Sequence, residues 1–297
     1  MTLAEASKFD ENGAREYLEG IRWANGRTCP HCGSVRSFAL KGKSTRAGLY
    51  KCSDCRKPFT VTVGTIFQGS HIALREWAIA FHLICGAKKG ISALQLQRHL
   101  GIKQYKSAWH MAHRIRYAMT EGTFNAAPLS GPVEVDETYV GGKHKGDGRG
   151  YRANKTPVVS LVERGGKKCS VVMPNVTALS LRAAVEANVA AGDKVHTDEH
   201  ASYRGLKNGF DHESVNHSKK QYSKKGKDGG TVTTNTVESS FALLKRGIVG
   251  AFHHVSRKHL HRYCAEFDFR WNHRKTTDGE RTVSAIAGAE GKRLAYA

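Results

Sequence analysis

The stretch Asn235-Thr236-Val237-Glu238-Ser239-Ser240-Phe241-Ala242-Leu243-Leu244-Lys245 sets a carboxylate and a lysine seven residues apart within an amphipathic pattern. On an α-helix, seven steps of about 100° fall within about 20° of two full turns, so Glu238 and Lys245 share a face and stand about 10.5 Å apart along the axis. That distance is too long for a salt bridge and suits one extended ligand. An acid able to hold a metal, with a base two turns on able to hold a phosphate, raises the question of where further acids come from.

The whole chain matches such a ligand. Lys and Arg total 47 against 26 acids in 297 residues, giving a formal charge of +21 and a pI near 9.8. A polyanionic partner follows, because each neutralised phosphate releases condensed counterions and drives binding. A membrane surface is the weaker alternative. No run approaches the roughly 18 apolar residues of a spanning helix, and Met1-Thr2-Leu3-Ala4-Glu5 lacks the basic and apolar regions of a leader. The expectation is a cytoplasmic, nucleoid-associated protein without a membrane partner.

Of the seven cysteines, four form two close pairs. Cys29-Pro30-His31-Cys32 and Cys52-Ser53-Asp54-Cys55, with nineteen residues between, have the spacing of a zinc ribbon, in which four thiolates close a tetrahedral shell around one structural Zn²⁺. His31 lies inside the first knuckle but beside better ligands. The segment is too short for a core of its own, so metal binding would supply on the order of 10 kcal/mol of its folding energy. Before it, residues 1 to about 25 read as a short helix. After it, from 74 to 119, three helices follow in turn. The second and third, joined through Gly101-Ile102, resemble a helix-turn-helix, and the third carries Lys103, Lys106, His110, His113, Arg114 and Arg116. Packing between domains is the alternative use of that face.

After Thr120 the pattern becomes that of strands. Residues 132–142 alternate, with Glu134, Asp136 and Thr138 on one side. A basic, Gly-rich connection over 143–152 leads to strands at 157–164 and 169–173, an antiparallel meander. A helix follows over 179–191, and then a strand from Lys194 that ends at Asp198. Residues 201–206 start a further helix, and 213–217 form a short strand. Lys219, Lys220, Lys224, Lys225 and Lys227 crowd the next loop, either a solvated loop or a clamp that orders on a polyanion. The closing helix, 258–274, buries a stripe of Leu260, Tyr263, Cys264, Phe267 and Trp271.

This order is that of a ribonuclease H-like α/β domain: a mixed sheet with flanking helices. In that topology the strands bearing Asp136 and Asp198 are central neighbours, and the late helix brings Glu238 to them. Three such acids suit two divalent ions about 3.5–4 Å apart, Mg²⁺ or Mn²⁺, with Asp136 bridging and Asp198 and Glu238 each completing one side. Glu137, Glu199 and Asp193 are near competitors. The expected organisation is an N-terminal helix and zinc ribbon over 1–70, a helical DNA-binding region over 71–125, and a ribonuclease H-like catalytic domain over 126–297.

These motifs carry a resemblance. Val135-Asp136-Glu137-Thr138-Tyr139-Val140-Gly141-Gly142-Lys143, Thr197-Asp198-Glu199-His200-Ala201-Ser202-Tyr203, and Asn235 through Gly247 resemble the insertion-sequence transposases of the DDE superfamily. The matching branch joins an N-terminal zinc ribbon to an ISXO2-like catalytic domain, and Phe267 with Arg270-Trp271-Asn272-His273-Arg274 resembles its closing helix. The resemblance covers nearly the whole chain. It implies metal-dependent cleavage at the ends of a mobile element, strand transfer into double-stranded target DNA, and a homodimer or higher oligomer on that DNA. It carries Asp136 and Asp198 over directly, and Lys245, two turns beyond Glu238, is expected to contact DNA near the scissile end. For the third acid position the branch uses Asn or Glu, and this chain offers both Asn235 and Glu238. Helical geometry favours Glu238, nearly in line with Lys245, whereas Asn235 lies about 80° away and suits a helix cap. Two other classes compete: a nuclease of the same fold that cuts without joining, and a zinc-ribbon DNA-binding regulator without catalysis, which leaves the spaced acids without a purpose.

Overall fold

The computed structural model describes residues 1–42, 44–120, 127–142 and 155–295. The basic connection over 143–152 lies outside them. Contacts divide the chain into two units, residues 1–121 with 275–297, and residues 122–274.

The first unit opens with two helices where the sequence suggests one. Leu3–Ala6 (α1) is closed by a capping box between Thr2 and Glu5, and Glu11–Arg22 (α2) starts on the Asp10 side chain. Three short antiparallel strands follow, Ser37–Ala39 (β1), Tyr50–Cys52 (β2) and Pro58–Phe59 (β3). Their knuckles bring the sulfurs of Cys29, Cys32, Cys52 and Cys55 within 4.8 Å of one another. A tetrahedral ion with Zn–S bonds of about 2.3 Å sets its sulfurs about 3.8 Å apart. The Cys29–Cys55 and Cys32–Cys52 separations are 3.6 Å and 3.7 Å, so the four thiols fit a closed zinc shell. Trp23, Tyr50 and Phe59 pack beside it, with the Arg27 guanidinium 3.6 Å above the Tyr50 ring.

Three helices follow as expected: Leu74–Gly86 (α3), Ala93–Leu100 (α4) and Tyr105–Ala118 (α5). Glu11 of α2 caps α3 by accepting from the amides of Leu74 and Arg75, which joins the ribbon region to the helices. Gly101, with φ of 63°, is the left-handed residue that ends α4 and turns the chain into α5. The sequence reading leaves 275–297 with the catalytic segment, but a last helix, Asp278–Ala287 (α9), packs on α3 instead. It buries Thr282, Ala285 and Ile286, and Arg281 donates to the carbonyl of Cys85. The tail beyond it pairs Glu290 with Arg22 of α2.

The second unit is built on a five-stranded sheet of order β6-β5-β4-β7-β8. Val133–Gly141 (β4), Lys155–Glu163 (β5) and Lys168–Val172 (β6) form the antiparallel meander. Lys194–Thr197 (β7) and Asp211–Ser214 (β8) run parallel to β4. Ala178–Glu186 (α6) makes the crossover, and Ala201–Asn208 forms a 3₁₀ helix. Together they cover one face, where Val133, Val135, Val159, Leu161, Leu181, Val195 and Tyr203 form the larger core. Asn235–Gly247 (α7) and Leu260–Asn272 (α8) cover the other, over Val158 and Val162. The lysine-rich segment is a hairpin rather than an open loop, with Ser223–Lys225 (β9) antiparallel to Thr231–Thr233 (β10). Among the described residues no helix is long and apolar enough to cross a membrane.

Removing zinc with a chelator is expected to cost the ribbon on the order of 10 kcal/mol of folding energy. Hydrogen exchange should then rise across residues 29–59 while the β4–β8 sheet keeps its protection. Unchanged protection at 29–59 would show that packing alone holds the knuckles.

Candidate active site

β4 runs through the middle of the sheet, so its alternation decides what each side receives. Val133 and Val135 enter the larger core, which turns Glu134, Asp136 and Thr138 toward α7. In the parallel pairing of β4 with β7, Glu134 stands opposite His196. Two residues on, Asp136 is therefore level with Asp198, on strands about 4.8 Å apart. Asp198 lies just past the end of β7, and its carboxylate accepts from the amide of His200 at 2.9 Å, curling the chain away from the sheet.

The third acid comes from α7, and a buried carboxylate sets that helix. Glu134, with no solvent exposure, accepts from the amides of Thr236 at 2.7 Å and Val237 at 3.1 Å and from the Thr236 hydroxyl at 2.9 Å. These are amides of the helix's first turn, which have no partner within the helix. Arg164 balances the charge, donating to Glu134 at 3.0 Å and 3.3 Å and to the carbonyl of Thr231 at 2.6 Å. Glu238 sits one turn into the helix. Its carboxylate accepts from the Thr234 hydroxyl at 2.9 Å and lies 3.6 Å from His217 Nε2.

Asn235 is not the cap that its position suggested. It is the first helical residue and exposed; Thr234 holds the cap position, and the amide donors go to Glu134, about a hundred residues away in sequence. Lys245 is exposed near the other end of α7.

The competing acids hold structural bonds. Glu137 accepts from the buried Tyr203 hydroxyl at 2.6 Å. Glu199 accepts from the Ser218 hydroxyl and from the amides of His217 and Ser218, bonds that hold its carboxyl down at about 2. Asp193 accepts from the amide of Gly131. Asp136 is the contrast. Burial pushes its carboxyl up to about 8 against the Glu137 amide that donates to it, and the like charges of Glu137, Asp198 and Glu238 push it further. Four carboxyl groups therefore act on one another here, and their hard oxygens are the donors that Mg²⁺ or Mn²⁺ prefers. Among the described residues, only the four thiols converge as around a single ion.

Glu134 and His217 escaped the sequence reading as site residues. Glu134 carried a signal, an acid in step with Asp136 on a strand with a buried face. His217 carried none, since only the fold brings it to Glu238.

Two expectations follow. Glu134→Gln leaves Arg164 without its anion and should destabilise the second unit by about 3 kcal/mol in urea melts. Adding Arg164→Met should recover part of that loss, and strictly additive costs would show the pair to be uncoupled. Because the fold raises the pKa of Asp136, its ionisation costs nothing below about pH 4 and opposes folding increasingly up to about pH 8. Metal-free Asp136→Asn should thus melt higher than wild type at pH 8 and equally at pH 4, while Mn²⁺ should raise the wild-type midpoint more. Equal midpoints at pH 8 would contradict this.

Both modules have counterparts among known proteins. A family model described as the ISXO2-like transposase domain matches residues 128–272, and one described as the transposase zinc-ribbon domain matches residues 9–58. A relative from Halobacterium salinarum, described as an uncharacterized protein in transposable element ISH50, is 30% identical over 281 residues, 88% of this chain and 90% of that one. With both modules matched in order and a relative aligned over most of its length, the chain belongs to the family of transposases that joins a zinc ribbon to an ISXO2-like transposase domain.

Proposed function

We propose that this protein binds the ends of an insertion sequence, cleaves phosphodiester bonds there and transfers the freed strand into target DNA. The observation that carries the reading is the meeting of Asp136, Asp198 and Glu238. They come from three distant parts of the chain, on β4, at the end of β7 and on α7, and the latter two bear on the charge of the first. These three residues are assigned as ligands of two Mg²⁺ or Mn²⁺ ions. Bound there, the ions supply an activated attacking oxygen and a stabilised leaving oxygen.

The protein's own groups do the rest. Glu134 and Arg164 fix the helix that presents Glu238. Lys245, about two turns further, is assigned to a backbone phosphate near the scissile end, and Asn235 remains the rival for the third acid position. In the first unit, the exposed Lys103, Gln104, Tyr105 and Lys106 at the start of α5 suit duplex DNA, as does the charge of +21. The reading includes a homodimer or higher oligomer on DNA, with action at the nucleoid.

The test incubates purified protein with Mg²⁺ or Mn²⁺ and the inverted-repeat ends of its element, and follows cut and joined products. Asp136→Asn, Asp198→Asn and Glu238→Gln should each lose about a thousandfold or more in cleavage, the several kcal/mol that a metal centre supplies. Asn235→Ala should remain active; its loss with an active Glu238→Gln would exchange the two assignments. Wild-type rates in both aspartate variants would overturn the site. Cutting without joining would make the protein a nuclease.

A further inference from the structure

The β9–β10 hairpin and the turn that leads into it, residues 216–233, stand between β8 and the helix that carries Glu238. The surface of this segment has an unusual composition. Lys219, Lys220, Lys224 and Lys225 have no carboxylate within ion-pair distance among the described residues. Of the nearby acids, Asp228 and Asp211 pair with Lys194 and Lys227, while Glu213 and Glu199 accept from backbone amides of the segment. Amid these lysines Tyr222 is 55% exposed, and among the described residues of the second unit it is the exposed large aromatic. Its ring lies 5.4 Å from that of His217, and His217 in turn lies 3.6 Å from the Glu238 carboxylate. An aromatic face and free cations thus begin at the acid site and lead outward.

The backbone adds a second, independent sign. Lys220 has φ of 58°, in the left-handed region that glycine adopts without cost. The turn around it is tight: its amide donates to the carbonyl of His217, and Asn216 and Gln221 pair across it. Glycine would make this turn more cheaply. A lysine kept in such a conformation is a reason to look for a role in its side chain.

We infer that this segment holds an unpaired stretch of DNA strand beside the acid site, with Tyr222 stacked on a base and Lys219, Lys220 and Lys225 along its phosphates. The inference rests on the transposase reading and adds to it a strand that is opened near the cut. Stacking is what separates an unpaired strand from a duplex here. In a duplex each base face is covered by its neighbours, so an exposed tyrosine gains little, whereas lysines attract either form. Aromatic platforms set in a cationic track are the general way in which single strands are held without sequence preference.

The test measures binding of the full-length protein by fluorescence anisotropy, without divalent metal. Two probes are used: a labelled blunt duplex and the same duplex with a single-stranded tail. Tyr222→Ala should lose about tenfold in affinity for the tailed probe, within the range for one stacked base, and little for the blunt one. Its salt dependence should stay that of wild type, and Tyr222→Phe should bind as wild type. Lys220→Gly should keep or raise the melting midpoint yet weaken binding to the tailed probe and flatten its salt dependence. Equal affinity of Tyr222→Ala and wild type for the tailed probe would overturn the proposal, as would equal losses on both probes. A wild-type protein that bound neither probe would instead remove the transposase reading, so the two failures are distinct.

Discussion

The interaction on which the second unit depends is the ion pair of the buried Glu134 with the half-buried Arg164. A carboxylate without solvent contact is costly unless its charge is matched and its lone pairs are filled. Both conditions are met here: Arg164 supplies the charge, and the amides of Thr236 and Val237 and the Thr236 hydroxyl supply the hydrogen bonds. Those amides are orphans at the start of α7, so one carboxylate completes two otherwise deficient elements. Glu134 is two residues from Asp136, and the Thr236 and Val237 amides lie within two residues of Glu238. The bond that satisfies the helix end thereby sets one acid of the site against another.

That arrangement explains how like charges stay together. Burial first, and then the like charges of Glu137, Asp198 and Glu238, hold the Asp136 carboxyl above its ordinary pKa. Repulsion of this kind can be tolerated only where other contacts determine backbone position. Asp136 is on the central strand, paired on both sides, and Asp198 follows a strand in register with it. Glu238 is on a helix anchored at its first turn and packed through Val237, Phe241 and Leu244. The backbone positions of the acids are therefore set largely by strand pairing, the Glu134 bonds and packing, with one amide or hydroxyl bond at each carboxylate besides. Of the neighbouring carboxylates, Glu137 adds its like charge to Asp136 while bonded to the Tyr203 hydroxyl, and Glu199 and Asp193 are bonded to hydroxyl or amide groups of their own.

How far the sequence alone revealed this depended on the range of the interactions. Two Cys-x-x-Cys knuckles state their chemistry locally, and the period of two over 132–142 puts Asp136 on a face without help from the rest of the chain. The line from Glu238 to Lys245 is likewise a property of one helix. Asn235 reads as a candidate cap for the opposite reason: the partner of the α7 amides is about a hundred residues away, beyond any local pattern. The same holds for His217. The last helix is different, since Thr277 with Glu280 is a capping box that the sequence does display. What it does not display is the surface onto which α9 folds, and that contact returns residues 275–297 to the first unit.

Arg164 also ties the hairpin to this centre. Beyond its bonds to Glu134 it donates to the carbonyl of Thr231 at the start of β10, and one of its amino groups lies 3.3 Å from His196 Nδ1 on β7. Burial and this guanidinium both hold the His196 imidazole below its ordinary pKa, so it meets Arg164 as a neutral acceptor. One side chain therefore joins β4, β7, β10 and, through Glu134, α7. Any displacement of the hairpin along its own length must stretch a bond to the group that neutralises Glu134, or move that group with it. The lysine-rich hairpin and the helix bearing Glu238 thus share the Arg164 guanidinium, besides the direct run of β10 into α7 and the approach of His217 to Glu238.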